Sequence, residues 1–228
     1  MDYEQMNNNK VYLRGKIVSE PVFSHEVFDE KFYEFSIEVP RLSESFDIIP
    51  VTISERLIDD KIALGNVITI TGQFRSYNKQ TEGRSKLVLT VFVREIEEND
   101  LNTNPNTIEL NGFICKEPIF RTTPFKREIS DVLLAVNRAY NKSDYIPCIA
   151  WGRNARFVSD LQVGEKIGIV GRVQSRNYQK KTDTEIINKT AYEISISSIS
   201  LVQEEFAKRQ GIISDTSYSA ESATSIAQ

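Results

Sequence analysis

The 228-residue chain sets 28 Lys and Arg against 32 Asp and Glu, a net charge of −4 with its single histidine neutral. At 40% hydrophobic and 26% charged, its composition is globular, with room for two domains of about 100 residues. One histidine, two cysteines outside any CxxC spacing and no GxxxxGK[ST] loop argue against a histidine-based zinc centre, a Ser–His–Asp triad and a phosphate loop, so no enzyme, metal or cofactor is expected.

The chain opens on MDYEQMNNNK (1–10), too acidic and polar for a signal peptide, and no stretch reaches the ~20 apolar residues that cross a bilayer. A cytoplasmic protein is the expectation. Residues 11–23, VYLRGKIVSEPVF, then lie over 108–120, IELNGFICKEPIF, with Leu13/Leu110, Gly15/Gly112, Ile17/Ile114, Glu20/Glu117, Pro21/Pro118 and Phe23/Phe120 at identical offsets. Farther on, GNVITITGQFRSYNK (65–79) lies over GEKIGIVGRVQSRNY (164–178), matching Gly65/Gly164, Ile68/Ile167, Ile70/Ile169, Gly72/Gly171, Ser76/Ser175 and Asn78/Asn177. The offset changes by two between the blocks, as a loop of altered length requires. This is a duplication, with units 11–98 and 108–202 joined by an Asn- and Pro-rich linker at 99–107. The Ser/Thr/Ala tail at 203–228 is expected to be mostly disordered.

Within the second unit, alternation predicts strands near 108–115, 129–138, 145–151, 166–178 and 191–202. Ala155, Val158 and Leu161 fall at helical spacing between the third and fourth, and Leu57, Ile58, Ile62 and Leu64 occupy the same slot in the first unit. Three strands, a helix and two strands predict an all-β chain of two tandem five-stranded OB-fold barrels, each with a short helix between strands three and four. Gly72 and Gly171 stand in long strands where a small barrel needs a bend or bulge. Val18 and Val51 replace Cys115 and Cys148 in the first unit, which assigns both thiols to packing.

The units differ in charge. The first has 11 Lys and Arg against 15 Asp and Glu, a balance of −4; the second has 14 against 10, a balance of +4. The second also carries four aromatics near strand surfaces: Tyr140, Tyr145, Trp151 and Tyr178. They are interleaved with Arg138, Arg172, Arg176, Lys180 and Lys181, a pattern suited to stacked bases in a basic groove. Their equivalents in the first unit are Ser43, Ile48, Ser54 and Lys79, so the aromatics are lost while the core pattern survives. Arg75, Tyr77 and Lys79 alternate onto one face there as a reduced version of the site.

At these residues the second unit resembles the bacterial single-stranded-DNA-binding protein family. ELNGFICKEPIFR, LLAVNRAY, IPCIAWGRNA and VGEKIGIVGRVQSRNY follow that family's order and spacing. The resemblance implies OB barrels, base stacking on Tyr140, Tyr145, Trp151 and Tyr178, and work in DNA replication, recombination or repair at the nucleoid. It is closest to the tandem members, which implies a homodimer of four barrels. The terminal SATSIAQ lacks the family's acidic tip, so recruitment of replication or repair proteins by that route is not implied. An interaction module of a replication or mobile-element complex, with weak nucleic-acid binding, is the alternative, and stacking platforms do not inherently exclude RNA.

Overall fold

The computed structural model describes residues 7–41, 43–81, 84–98, 104–181 and 186–202. The tail at 203–228, for which disorder is predicted, lies outside the described residues. Alternation governs most of the strands. In β1 (Asn9–Ile17), Val11, Leu13, Gly15 and Ile17 turn inward while Lys10, Arg14 and Lys16 turn out. The first unit continues with β2 (Val22–Val27), β3 (Glu30–Pro40), β4 (Phe46–Ser54), β5 (Val67–Thr81) and β6 (Arg84–Ile96). The second has β7 (Asn106–Ile114), β8 (Ile119–Thr122), β9 (Glu128–Arg138), β10 (Lys142–Trp151), α1 (Arg153–Ser159), β11 (Lys166–Lys181) and β12 (Ile186–Leu201).

Ladder pairings run in the same circuit in both units. β1 pairs antiparallel with β3 and β5, β3 with β4, and β5 with β6, while β4 meets β6 in parallel. The second circuit is β7, β9, β10, β12, β11 and back to β7, again with one parallel contact, between β10 and β12. Each unit has a sixth strand absent from the five-strand prediction. β2 lies along β3 and β8 along β9, and both are exposed over almost their whole length. Neither therefore has the apolar-in, polar-out signature that alternation detects.

The helix prediction holds only in part. α1 occupies the predicted slot in the second unit and buries Ala155 and Val158. In the first unit the slot holds a single 3-10 turn, Glu55–Leu57. The Asp59 carboxylate accepts the Lys61 N–H at 2.9 Å, a local bond that competes with the helical ladder and turns the chain away.

The two glycines in long strands stand at the expected irregularities. The β5–β6 register slips between Thr71 and Gly72, and the β11–β12 register between Val170 and Gly171. A Cβ on Gly72 would stand 2.1 Å from the Phe92 carbonyl oxygen, and one on Gly171 2.4 Å from that of Ser195. Backbone cannot yield as a flexible side chain would. Gly72→Ala is expected to cost about 1–3 kcal/mol by overpacking, and hence several degrees of thermal midpoint at roughly 2–4 °C per kcal/mol. A midpoint equal to the parent's in differential scanning calorimetry would show that the bulge relaxes freely.

One buried apolar cluster runs through both units, from Val11 and Leu13 to Ile194 and Ile196. The units join where β1 pairs antiparallel with β7, so that all twelve strands form one continuous sheet. Val11 lies opposite Ile108, with Asn9 opposite Leu110 and Leu13 opposite Asn106. These are equivalent residues of the two repeats exchanged across the join, so a local two-fold axis passes there. Side chains obey the same symmetry. Asn9 donates to the Phe74 carbonyl at 2.8 Å and accepts its N–H at 2.9 Å; Asn106 does the same to Val173 at 2.7 and 2.9 Å.

Candidate nucleic-acid interface

The side chains singled out in the sequence fall into two regions of the second unit. The first lies along β10 and β11. Tyr145 and Trp151 project from one face of β10, 47% and 38% exposed, while Ile146, Cys148 and Ala150 are buried on the other. Six residues of strand set the two rings about 20 Å apart. Trp151 shares a shallow pocket with Lys126, Arg127 and Arg156, and Arg156 is held by Glu128 at 2.6 and 2.9 Å. Tyr178 on β11 is 40% exposed, with the Arg176 guanidinium 5.9 Å above its ring centre. Arg176 also lies 3.6 Å from Glu193, whose carboxylate accepts from Gln174 at 2.7 Å. β11 includes Lys180 and Lys181 in its backbone, but their side chains lie outside the described residues.

The second region is the junction between units. Two buried carboxylates are placed there by the two-fold. Asp144 on β10 accepts the Ser76 N–H at 2.7 Å, and Asp47 on β4 accepts the equivalent Ser175 N–H at 2.7 Å. Arg138 lies 3.5 Å from Asp144. Arg172 is directed to Asp47 at 3.3 Å and to Gln174 at 3.0 Å, so its charge is engaged at the junction rather than left to the open strand face. Tyr140, 83% exposed at the β9–β10 hairpin, lines a cleft of about 760 Å³ with Arg138 and, from the first unit, Arg75.

Among the first-unit candidates, Arg75 is half-buried with its guanidinium 3.7 Å over the Phe92 ring. Burial, then repulsion from Arg94 and Arg138, pushes its pKa down to about 10, so it remains a cation at neutral pH. Tyr77 donates its hydroxyl to Glu34 at 3.2 Å, and burial with that neighbouring carboxylate raises its pKa. Lys79 is exposed. Cys148 is buried and Cys115 half-buried, and desolvation raises both thiols above their ordinary pKa, away from reactivity. Among the described residues no helix is long and apolar enough to cross a membrane, and no three His, Cys, Asp or Glu side chains gather as a metal site.

The single-strand binding protein family model matches residues 105–202. The second unit thus matches the single-strand binding protein family. It is a family of binding proteins rather than enzymes. Single-stranded DNA-binding protein 1 of Staphylococcus aureus is 30% identical over 113 residues, which cover 46% of this chain and 66% of that one. Single-stranded DNA-binding protein A of Bacillus subtilis is 35% identical over 83 residues, covering 33% and 48%. The chain thus spans between about half and two-thirds of the length of these relatives. Among solved structures, the wild-type single-stranded DNA binding protein of Thermus aquaticus superposes with a TM-score of 0.68 over 86% of this chain and 93% of that one. At 17% identity the likeness is one of fold, an all-β chain of OB type.

The single-strand binding family match takes in every second-unit candidate and leaves Arg75, Tyr77 and Lys79 outside it. Sequence reasoning did not find Phe28 and Arg94, which the fold brings to the junction cleft beside Arg138 and Tyr140. Their signal was weak: each stands alone in its own strand region, and only the β1–β7 join sets them opposite the β9–β10 hairpin.

Proposed function

We propose that the protein binds single-stranded DNA without strong sequence preference, through its second unit. The observation that carries this reading is the set of four partly exposed aromatics, Tyr140, Tyr145, Trp151 and Tyr178, on the basic copy of a duplicated fold. Bases stack on these rings at about 1–3 kcal/mol each, and Arg138, Arg176, Lys180 and Lys181 track the phosphates. Arg172 belongs to the same wall, although its contact with Asp47 gives it a junction role as well.

Each five-strand circuit is read as an OB barrel, with domains at 11–98 and 108–202. Support comes from the closed order of ladders and from a fold likeness that runs through most of both chains. The first unit serves chiefly to complete the two-unit body. By the same reading the protein assembles as a homodimer of four barrels and works in replication, recombination or repair at the nucleoid. Sedimentation at twice the chain mass would support that assembly.

The single tryptophan provides the test. Titration with oligo(dT) is expected to quench Trp151 fluorescence, and a duplex of equal length is not. Rising salt should reverse the effect, with a log–log slope of about −0.7 per neutralised phosphate. Absence of quenching together with absence of a mobility shift would overturn the reading. Competition between matched DNA and RNA oligomers separates the two polymers.

A further inference from the structure

The junction cleft has a larger excess of positive charge than its two-fold counterpart. It is lined by four cations, Arg75, Arg94, Arg138 and Lys142, and one carboxylate, Asp144. Asp144 is already occupied by the Ser76 N–H and by Arg138. Arg75 donates to Gln73 at 2.9 Å and lies over the Phe92 ring, and Arg94 lies 5.5 Å from the centre of the same ring. Among the described residues neither guanidinium is paired with a carboxylate. Repulsion among Arg75, Arg94 and Arg138 is part of what lowers the Arg75 pKa, and an incoming anion would relieve it.

The local two-fold builds a second cleft, lined by Arg41, Ser43, Asn106 and Arg172. There Asp47 takes both arginines, Arg41 at 2.8 Å and Arg172 at 3.3 Å. Ser43 stands where the first cleft has Tyr140. The same backbone frame thus occurs twice, with its arginines held by a buried carboxylate and no aromatic on one side, strongly cationic and rimmed by aromatics on the other. The rim of the cationic cleft is unusual in its backbone. Phe28 and Tyr140, 97% and 83% exposed, both sit at positive φ, 50° and 61°, a conformation uncommon for bulky residues and costly to hold.

We infer that this cleft is a phosphate site for single-stranded DNA, where the backbone of a strand leaving Tyr140 crosses from the second unit onto Arg75 and Arg94 of the first. The inference rests on the single-strand-binding reading of the second unit. Guanidinium groups suit a phosphodiester through charge-assisted, forked hydrogen bonds, and Phe28 offers a ring for the next base. The first unit then extends the binding track although it lacks the four aromatics of the second.

The test uses the full chain and labelled oligo(dT) of two lengths, about 8 and about 35 nucleotides, the shorter within the reach of one OB fold. Dissociation constants are read by fluorescence anisotropy over a series of salt concentrations. Arg75→Gln with Arg94→Gln is expected to make the slope for the long oligomer shallower by about 1.4, at about 0.7 per lost phosphate contact, and to leave the short oligomer unchanged. Because Arg75 is packed on Phe92, the exposed Arg94→Glu is measured alongside, with a loss of at least 0.7 expected and a thermal midpoint equal to the parent's. Slopes unchanged in both variants, with the parent still binding, would overturn the crossing site and leave the single-strand reading intact. Equal losses on both lengths would also overturn it. A parent that binds neither length overturns the reading beneath it.

Discussion

Trp151→Ala combined with Tyr178→Ala is expected to remove roughly 2–6 kcal/mol of affinity for oligo(dT), two stacking contributions of about 1–3 kcal/mol each. At about 1.4 kcal/mol per tenfold, the dissociation constant rises by between about thirtyfold and about twenty thousandfold. The fold should tolerate the change. Both rings stand on the outer side of their strands, and Ile146, Cys148 and Val173 carry the packing beneath. Anisotropy of a labelled oligomer replaces tryptophan fluorescence, since the variant has lost its only indole. Affinity equal to the parent's, with an unchanged circular dichroism spectrum, would remove these two rings from the binding surface. Tyr77→Ala in the first unit serves as the comparison, because the Tyr77 hydroxyl is engaged by Glu34.

The largest loss of stability is expected from Asp47→Ala. The carboxylate is fully buried and accepts from the Ser175 N–H, the Arg41 guanidinium and Arg172. Removing it leaves two arginines and a backbone donor without their anion, and breaking such a buried set costs about 3–5 kcal/mol. At roughly 2–4 °C per kcal/mol, the thermal midpoint falls by about 10 °C. Asp144→Ala is expected to cost less, since that carboxylate holds one arginine at 3.5 Å instead of two. A fall of under about 2 °C for Asp47→Ala would mean that the arginines find water when the carboxylate is gone, and that the junction is held by the β1–β7 ladder and the Asp144 side without it.

Much of this architecture is legible in one dimension because the duplication writes it twice. Leu13 with Leu110 and Gly72 with Gly171 mark the same strand and the same bulge, and chance does not repeat both. Alternation separates the faces of β10 between Tyr145 and Trp151 because Ile146, Cys148 and Ala150 on the inner face are all apolar. It fails for β2, where Val22, Phe23 and Val27 are all exposed, and for β8, where no residue is buried. The first-unit helix is misread because Leu57, Ile58 and Ile62 keep helical spacing while Asp59 turns the backbone. Arg172 shares a strand face with Arg176 and Tyr178 by alternation, yet Asp47, 125 residues away, engages it. Long-range electrostatics of that kind leave no trace in local pattern. The same holds for Arg94 and Phe28, which become neighbours of Tyr140 only through the pairing of the units.

The exchange of equivalent residues across Val11 and Ile108 has a further consequence. Two separate copies meeting about such an axis come apart on dilution, and every substitution appears in both at once. Here nine residues connect Ile96 to Asn106, so each half meets the other at an effective concentration of order millimolar, whatever the amount of protein present. Partnership becomes independent of abundance. Sequence drift on one side no longer has to be tolerable on the other, and an axis that would enforce sameness between two chains permits division of labour within one.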